Sequence, residues 1–226
     1  MSSAALLAVA HGSPDPRAEP VLEALMARVR AERPGLVAKL AHLGHTDPDV
    51  ATAVRSLVEA GSRRVVVVPL LLTAAFHART DLPALLDELR AELPSVELAQ
   101  TPVLGPHPLL LSLVRRRLTE VGADPAGSLV LGAVGTSDAG ANAELADVAA
   151  RLGAAVGFAA GEPSVDRVVD ELRADTGGQV AIASYVLAPG TLPDRFAATK
   201  ADLVTQPLGA EPEIVSIVLE RFDAVG

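Results

Sequence analysis

Short apolar runs alternate along this chain with segments of helical period and mixed charge, the pattern of successive βα units wound around a parallel sheet. In the first half the runs predict strands over residues 6–10, 37–43, 65–72 and 96–99, with helices over 16–33, 48–60, 82–93 and 108–121. The second half repeats the plan, with strands near 129–132, 154–158, 180–185 and 203–206 and helices over 141–152, 164–174, 193–201 and 211–222. Asp-Pro, Gly-Pro and Ala-Gly pairs punctuate the helix ends. Residues 122–128, rich in small residues and turn formers, predict a boundary between an N-terminal α/β domain, 1–123, and a C-terminal one, 124–226. The expected architecture is two similar Rossmann/flavodoxin-like domains with four-stranded parallel sheets, related by a pseudo-twofold axis and enclosing a cleft.

The repeat is legible residue by residue in places. Residues 6–18 (LLAVAHGSPDPRA) and 129–141 (LVLGAVGTSDAGA) are two versions of one strand-and-turn pattern, in which His11 falls opposite Val134. A second pair begins at Val65 and Val180 and sets His77 opposite Leu192, with a shorter loop around 191–196. A duplicated chain has thus kept two imidazoles in one half only. Right-handed crossovers favour an order in which the first and third strands lie side by side, about 4.8 Å apart, with a ligand-binding crevice at their carboxyl ends. His11 directly follows the first strand and His77 lies in the loop after the third, so the pair can hold one ion or one substrate between them. A histidine beside an apolar strand is otherwise most often a structural donor to a backbone carbonyl. Their shared position at the functional end of the sheet is what sets these two apart.

Composition narrows the chemistry. With 226 residues, 50% hydrophobic and 21% charged, the chain has ample material for a packed core. The absence of cysteine removes disulfides, zinc ribbons, iron-sulfur clusters and thiol nucleophiles, leaving histidine and carboxylate as metal ligands. The N-terminus has no basic n-region, and its apolar run ends at His11, before a signal peptide or membrane span is complete. A cytoplasmic protein without a membrane partner is expected. Residues 1–123 carry 13 Lys and Arg against 13 Asp and Glu, and residues 124–226 carry 6 against 15, so the whole net charge of −9 falls in the second half. Solubility is the simplest reading of that asymmetry. Four Phe, one Tyr and no basic stripe argue against nucleic acid.

His42 and His45 follow the second strand beside Asp47, where they either extend a metal site or decorate its rim. Asp47 and Pro48 read as a helix N-cap and first-turn pair, and His107 as the start of a helix. Ser13 and Asp15 either contact a ligand or cap the helix expected from Pro16. Gly12 stands in neither a GxGxxG fingerprint nor a Walker loop, so no nucleotide is expected, and no GxSxG elbow is present.

Three segments in the first half carry a family resemblance: residues 10–18 (AHGSPDPRA), 66–72 (VVVPLLL) with 76–83 (FHARTDLP), and 104–110 (LGPHPLL). Together they resemble the sirohydrochlorin chelatases of the CbiX/SirB type, and the second half resembles the degenerate repeat of the long, two-domain members. The resemblance implies a class II chelatase that inserts a divalent metal, Co2+ or Fe2+ with Ni2+ also possible, into sirohydrochlorin without ATP. It implies His11 and His77 as the metal-binding and proton-accepting pair. One position departs from the pattern: Gly44 stands where many members carry a glutamate. His45 or His42 then takes over part of that role, or the site manages with two imidazoles and water.

The residue types suit this chemistry independently of the family. Metal insertion removes two pyrrole protons and exchanges weak ligands for ring nitrogens, and neutral imidazole is both base and borderline ligand. The expected site residues are His11 and His77 as catalytic groups, His11, His77 and His45 around the metal, and Ser13, Arg17 and Arg79 toward the tetrapyrrole. Arg195 and Lys200 are further candidates for its carboxylates, although each such cation is also explained as a solvated surface charge. The rivals are a carrier that binds metal or tetrapyrrole without turnover, and an α/β enzyme acting on a small phosphorylated or carboxylated metabolite. Monomer and homodimer are equally compatible with the sequence.

Overall fold

The structure is a computed structural model and describes residues 4–74, 77–124 and 126–225, with His77 by its backbone alone. Strand β1 (Ala5–Ala10) is buried along its whole length, as a central strand covered on both faces must be. It pairs in parallel with β2 (Ala38–His42) on one side and β3 (Arg64–Pro69) on the other, and β4 (Glu97–Gln100) completes the order β2-β1-β3-β4. The expected central placement of the first and third strands is therefore present, with Val9 registered against Pro69. The second sheet has the same order, β6-β5-β7-β8, from β5 (Ser128–Ala133), β6 (Ala155–Phe158), β7 (Val180–Ser184) and β8 (Leu203–Val204).

Helices α1 (Ala18–Glu32), α2 (Val50–Glu59), α3 (Leu82–Glu92) and α4 (Pro108–Glu120) follow the strands of the first half. Their counterparts are α5 (Ala139–Leu152), α6 (Val165–Thr176), the short α7 (Asp194–Ala197) and α8 (Pro212–Asp223). The Asp138 and Ser164 side chains cap α5 and α6, and left-handed Gly153 and Gly177 end them. His107 caps α4 through its imidazole, which accepts the Leu109 N–H at 3.2 Å, with Pro108 opening the helix as the sequence suggests.

Three local expectations are corrected. Asp47 does not cap α2: the cap is Asp49, whose carboxylate accepts the Thr52 N–H at 2.6 Å, while the Pro48 carbonyl accepts from the His42 N–H. The first helix begins at Ala18 rather than Pro16, because residues 13–17 form turns of their own. Helix α7 is four residues long, not the span 193–201, since Thr199 and Asp202 lead the chain directly into β8.

The compact units of the fold cut across the sequence repeat. One comprises Met1–Gly105 with Ala210–Gly226 and the other Pro106–Gly209, so α8 completes the N-terminal sheet's unit and α4 the other. Within the first unit α8 packs on α1 and β3, and within the second α4 packs on β7 and α5. The charge asymmetry dissolves accordingly: counted over the sequence, the first unit has eleven Lys and Arg against sixteen Asp and Glu, the second eight against twelve. Arg115, Arg116 and Arg117, which balance the first half of the sequence, travel on α4 into the second unit.

Candidate functional site

At the carboxyl end of the N-terminal sheet, the loops after β1 and β2 lie against each other. The Leu43 N–H donates to the Ala10 carbonyl at 3.0 Å and the Gly44 N–H to the His11 carbonyl at 3.1 Å, extending the β1–β2 ladder past the strand ends. Gly12 makes this approach possible. Its φ is +86°, and a Cβ built on it would stand 1.6 Å from the Gly44 carbonyl oxygen. No other residue can sit there without parting the loops. Thr46 adds a clamp, its hydroxyl accepting the Ser13 N–H at 3.3 Å and donating to the Ser13 carbonyl at 3.2 Å.

This framework carries His11 and His45, both exposed, with ring centroids 6.2 Å apart and planes inclined at 76°. His45 has φ of +64°, the one positive value at a non-glycine residue among those described. On the opposite flank of β1, the chain leaves β3 and reaches a π-helical turn, His77–Asp81, that begins at His77. Gln100, the last residue of β4, fixes the turn by donating from its amide to the Ala78 carbonyl at 3.0 Å. The side chain of His77 lies outside the described residues. Among the described residues no three His, Cys, Asp or Glu side chains form a cluster able to hold a metal.

The other expected site residues fall into two groups. Ser13 and Asp15 build the turn into α1: the Ser13 hydroxyl accepts the Asp15 N–H at 3.1 Å and the Asp15 carboxylate the Arg17 N–H at 3.0 Å. The repeat matches the first of these bonds, the Thr136 hydroxyl accepting the Asp138 N–H at 3.2 Å in a loop with no histidine, so a hydroxyl at this position has a structural role in both halves. Arg17 turns its guanidinium onto Asp15, with two contacts of 2.9 and 2.5 Å. Arg79 is exposed on the π-helical turn. Arg195 donates to the Ala159 carbonyl and Lys200 pairs with Asp170, both within the second unit.

His42 is not on the rim. It is 1% exposed at the end of β2, with Nε2 3.3 Å from a Glu19 carboxylate oxygen. Neither ring nitrogen meets hydrogen-bond geometry, so this is a close approach rather than a formed hydrogen bond. Phe158 fills the equivalent place in the repeat, as shown by the matching bridges His42 to Asp49 and Phe158 to Ser164. Sequence reasoning passed over Glu19, Thr46 and Gln100. Thr46 alone had a signal: the loop between Gly44 and Pro48 is one residue longer than that between Ala160 and Pro163.

The Asp15–Arg17 contact gives a pH prediction. Hydrogen bonds from the Arg17 side chain and backbone lower the Asp15 pKa from 3.8 to about 2. A carboxylate with a depressed folded-state pKa stabilises above its unfolded value and loses that contribution as pH falls through the folded one. Asp15→Asn is therefore expected to lower the denaturant midpoint at neutral pH by a small amount, with the gap to the parent closing between pH 4 and pH 2. A gap independent of pH over that window would show that the charge is not what Asp15 supplies.

Comparison with known proteins follows the duplicated plan. The CbiX family model matches residues 5–121 and 128–225. A sirohydrochlorin ferrochelatase of Bacillus subtilis is 27% identical over 197 residues, covering 83% of this chain and 76% of that protein. A sirohydrochlorin cobaltochelatase of Priestia megaterium is 27% identical over 205 residues, covering 84% and 66%. The solved structure of SirB from Bacillus subtilis with Fe3+ aligns at a TM-score of 0.86 over 99% of this chain and 95% of that one, at 24% identity.

Proposed function

This chain belongs to the CbiX family, and on that premise we propose that it inserts a divalent metal, Co2+ or Fe2+, into sirohydrochlorin. Relatives named for each of the two metals stand at the same 27% identity, and Ni2+ joins them as a third ion that imidazole accepts. The observation that supports the reading is the placement of β1 beside β3, with His11 directly after one strand and His77 opening the turn that follows the other. In this reading the enzyme needs no nucleotide and works in the cytoplasm as a monomer or homodimer.

His11 and His77 serve as ligands to the incoming ion and as acceptors of the two pyrrole protons, with His45 beside them. The task requires loose binding, because the metal must leave for four ring nitrogens, and a closed four-ligand cage would obstruct it. An exposed imidazole at the mouth of a sheet is accessible to a macrocycle as a buried one is not. Arg79, exposed on the turn that begins at His77, and Arg17, which also contacts Asp15, are the candidates to meet sirohydrochlorin carboxylates. Ser13 can add a hydrogen bond through its own O–H.

Absorbance-monitored insertion with Fe2+, Co2+ and Ni2+ in parallel tests the proposal. Product exceeding the enzyme by many equivalents is expected with at least one ion. Product capped at one equivalent per chain would instead identify a carrier, and an unchanged tetrapyrrole spectrum on mixing would sink both.

A further inference from the structure

His45 has a positive φ at a position where the repeat has a glycine, also with a positive φ. Its φ is +64°, and the corresponding loop in the second half places Gly161, with φ +132°, directly after Ala160 as His45 follows Gly44. The correspondence is fixed by the ladder, because Gly44 bonds the His11 carbonyl just as Ala160 bonds the Val134 carbonyl. A side chain in the left-handed region carries a backbone penalty and persists where its surroundings over-determine it. Here they do so from both sides: Gly44 is held by the His11 carbonyl, and Thr46, which the shorter loop lacks, is held by Ser13. The half without histidines has the shorter loop and the glycine. The half with them keeps the longer loop, the clamp and an imidazole in the unfavourable conformation, with its ring beside that of His11.

The separation is close to that of a shared ion. Two imidazoles bound to one metal through bonds of about 2.1 Å have ring centres roughly 4.5 Å apart at a right angle, roughly 5.3 Å apart at a tetrahedral angle and roughly 6.5 Å apart when opposed. The observed 6.2 Å exceeds the tetrahedral value by about 1 Å, which side-chain rotation of two exposed rings can close. We infer that His45 is a specificity-determining ligand: it adds a nitrogen donor beside His11 and so biases the site toward Co2+ and Ni2+ and against ions such as Mn2+. The bias follows from donor type, since imidazole favours the later first-row metals whereas carboxylate, carbonyl and water suit Mn2+ and Mg2+. The inference rests on the reading of His11 as a metal ligand, and it makes the left-handed residue a stability cost retained for selectivity.

Calorimetric titration of the full chain with Co2+, Ni2+ and Mn2+, in the parent, His45→Gly and His45→Asn, tests it together with thermal unfolding in the absence of metal. Glycine and asparagine both accept the left-handed backbone, so neither variant should unfold the loop. The Kd for Co2+ and Ni2+ is expected to rise about tenfold or more in both variants, that for Mn2+ to change by less than about threefold, and the Tm of His45→Gly to equal or exceed the parent's. Unchanged Co2+ affinity, or an equal loss for all three ions, overturns the assignment, and a lowered Tm in His45→Gly would make the ring a packing residue instead. Binding decides this point separately from turnover. A parent that binds Co2+ through His45 without transferring it to sirohydrochlorin would uphold the ligand and sink the chelatase, whereas a parent that binds none of the ions would sink both.

Discussion

His11→Ala is expected to abolish metal insertion while leaving the protein folded. The two halves of that statement have separate causes. His11 holds the loop through its backbone, with its carbonyl accepting the Gly44 N–H, and this bond survives truncation of the side chain. The ring is exposed, so no core contact of consequence is lost with it. Insertion, on the proposed mechanism, loses a proton acceptor and a donor to the ion at once. General-base removal alone costs about 10²- to 10⁴-fold in rate, and metal affinity falls in addition. His77→Ala is expected to behave in the same way from the neighbouring strand. The check is steady-state insertion by absorbance, with circular dichroism and a thermal melt to establish the fold. Activity retained in both variants would remove the pair from the mechanism, and a collapsed melt in His11→Ala would show that the ring, not the backbone, supports the loop.

What the sequence disclosed and what it withheld divide along the range of the interactions involved. The central strands were legible because residues buried on both faces leave an unbroken apolar run, as in Leu6 to Ala10 and Val65 to Val68. Their order followed from crossover handedness, and with it the neighbouring positions of the loops that begin at His11 and lead to His77. The exchange of α4 and α8 was not legible. Helical periodicity shows that a helix has an apolar face but carries nothing about which sheet that face covers. A boundary at residues 122–128 is consequently where the family repeat divides, while the compact units divide elsewhere. The approach of His45 to His11 was half legible: its position after the second strand was plain, but the contact depends on the Ala10 to His42 register and on a glycine with no side chain to hold the loops apart. His42 misled because strand alternation near a strand end does not fix which side of the sheet a last residue faces. The structure turns it inward, toward Glu19.

Gly12→Ala should be the most damaging glycine-to-alanine change among the described residues, and three glycines together can show why. Gly12 and Gly35 have nearly the same φ, +86° and +88°, yet a Cβ on Gly35 meets nothing within 4 Å. Gly35→Ala therefore measures the backbone penalty alone, about 1–2 kcal/mol. Gly135, with φ +85°, repeats the close approach in the second half, where a Cβ would stand 2.4 Å from the Ala160 carbonyl oxygen and no imidazole is near. At Gly12 the Gly44 oxygen at 1.6 Å leaves no rotamer to adjust, because the oxygen is backbone and the position of a Cβ is fixed by the backbone that carries it. The loops must part, forfeiting the Gly44 to His11 bond and the Thr46 clamp at about 1 kcal/mol each. The sum, roughly 3–4 kcal/mol, lies at or above the top of the usual span of about 0.5–3 kcal/mol for single substitutions. Urea denaturation is expected to rank the three variants with Gly35→Ala mildest and Gly12→Ala most severe. Insertion should separate the two clashing positions, since parting the loops at Gly12 also separates His11 from His45 whereas at Gly135 it leaves both histidines where they are. A Gly12→Ala protein no less stable than Gly35→Ala would mean that the two loops do not touch in solution, and the shared placement of the imidazoles would fall with that contact.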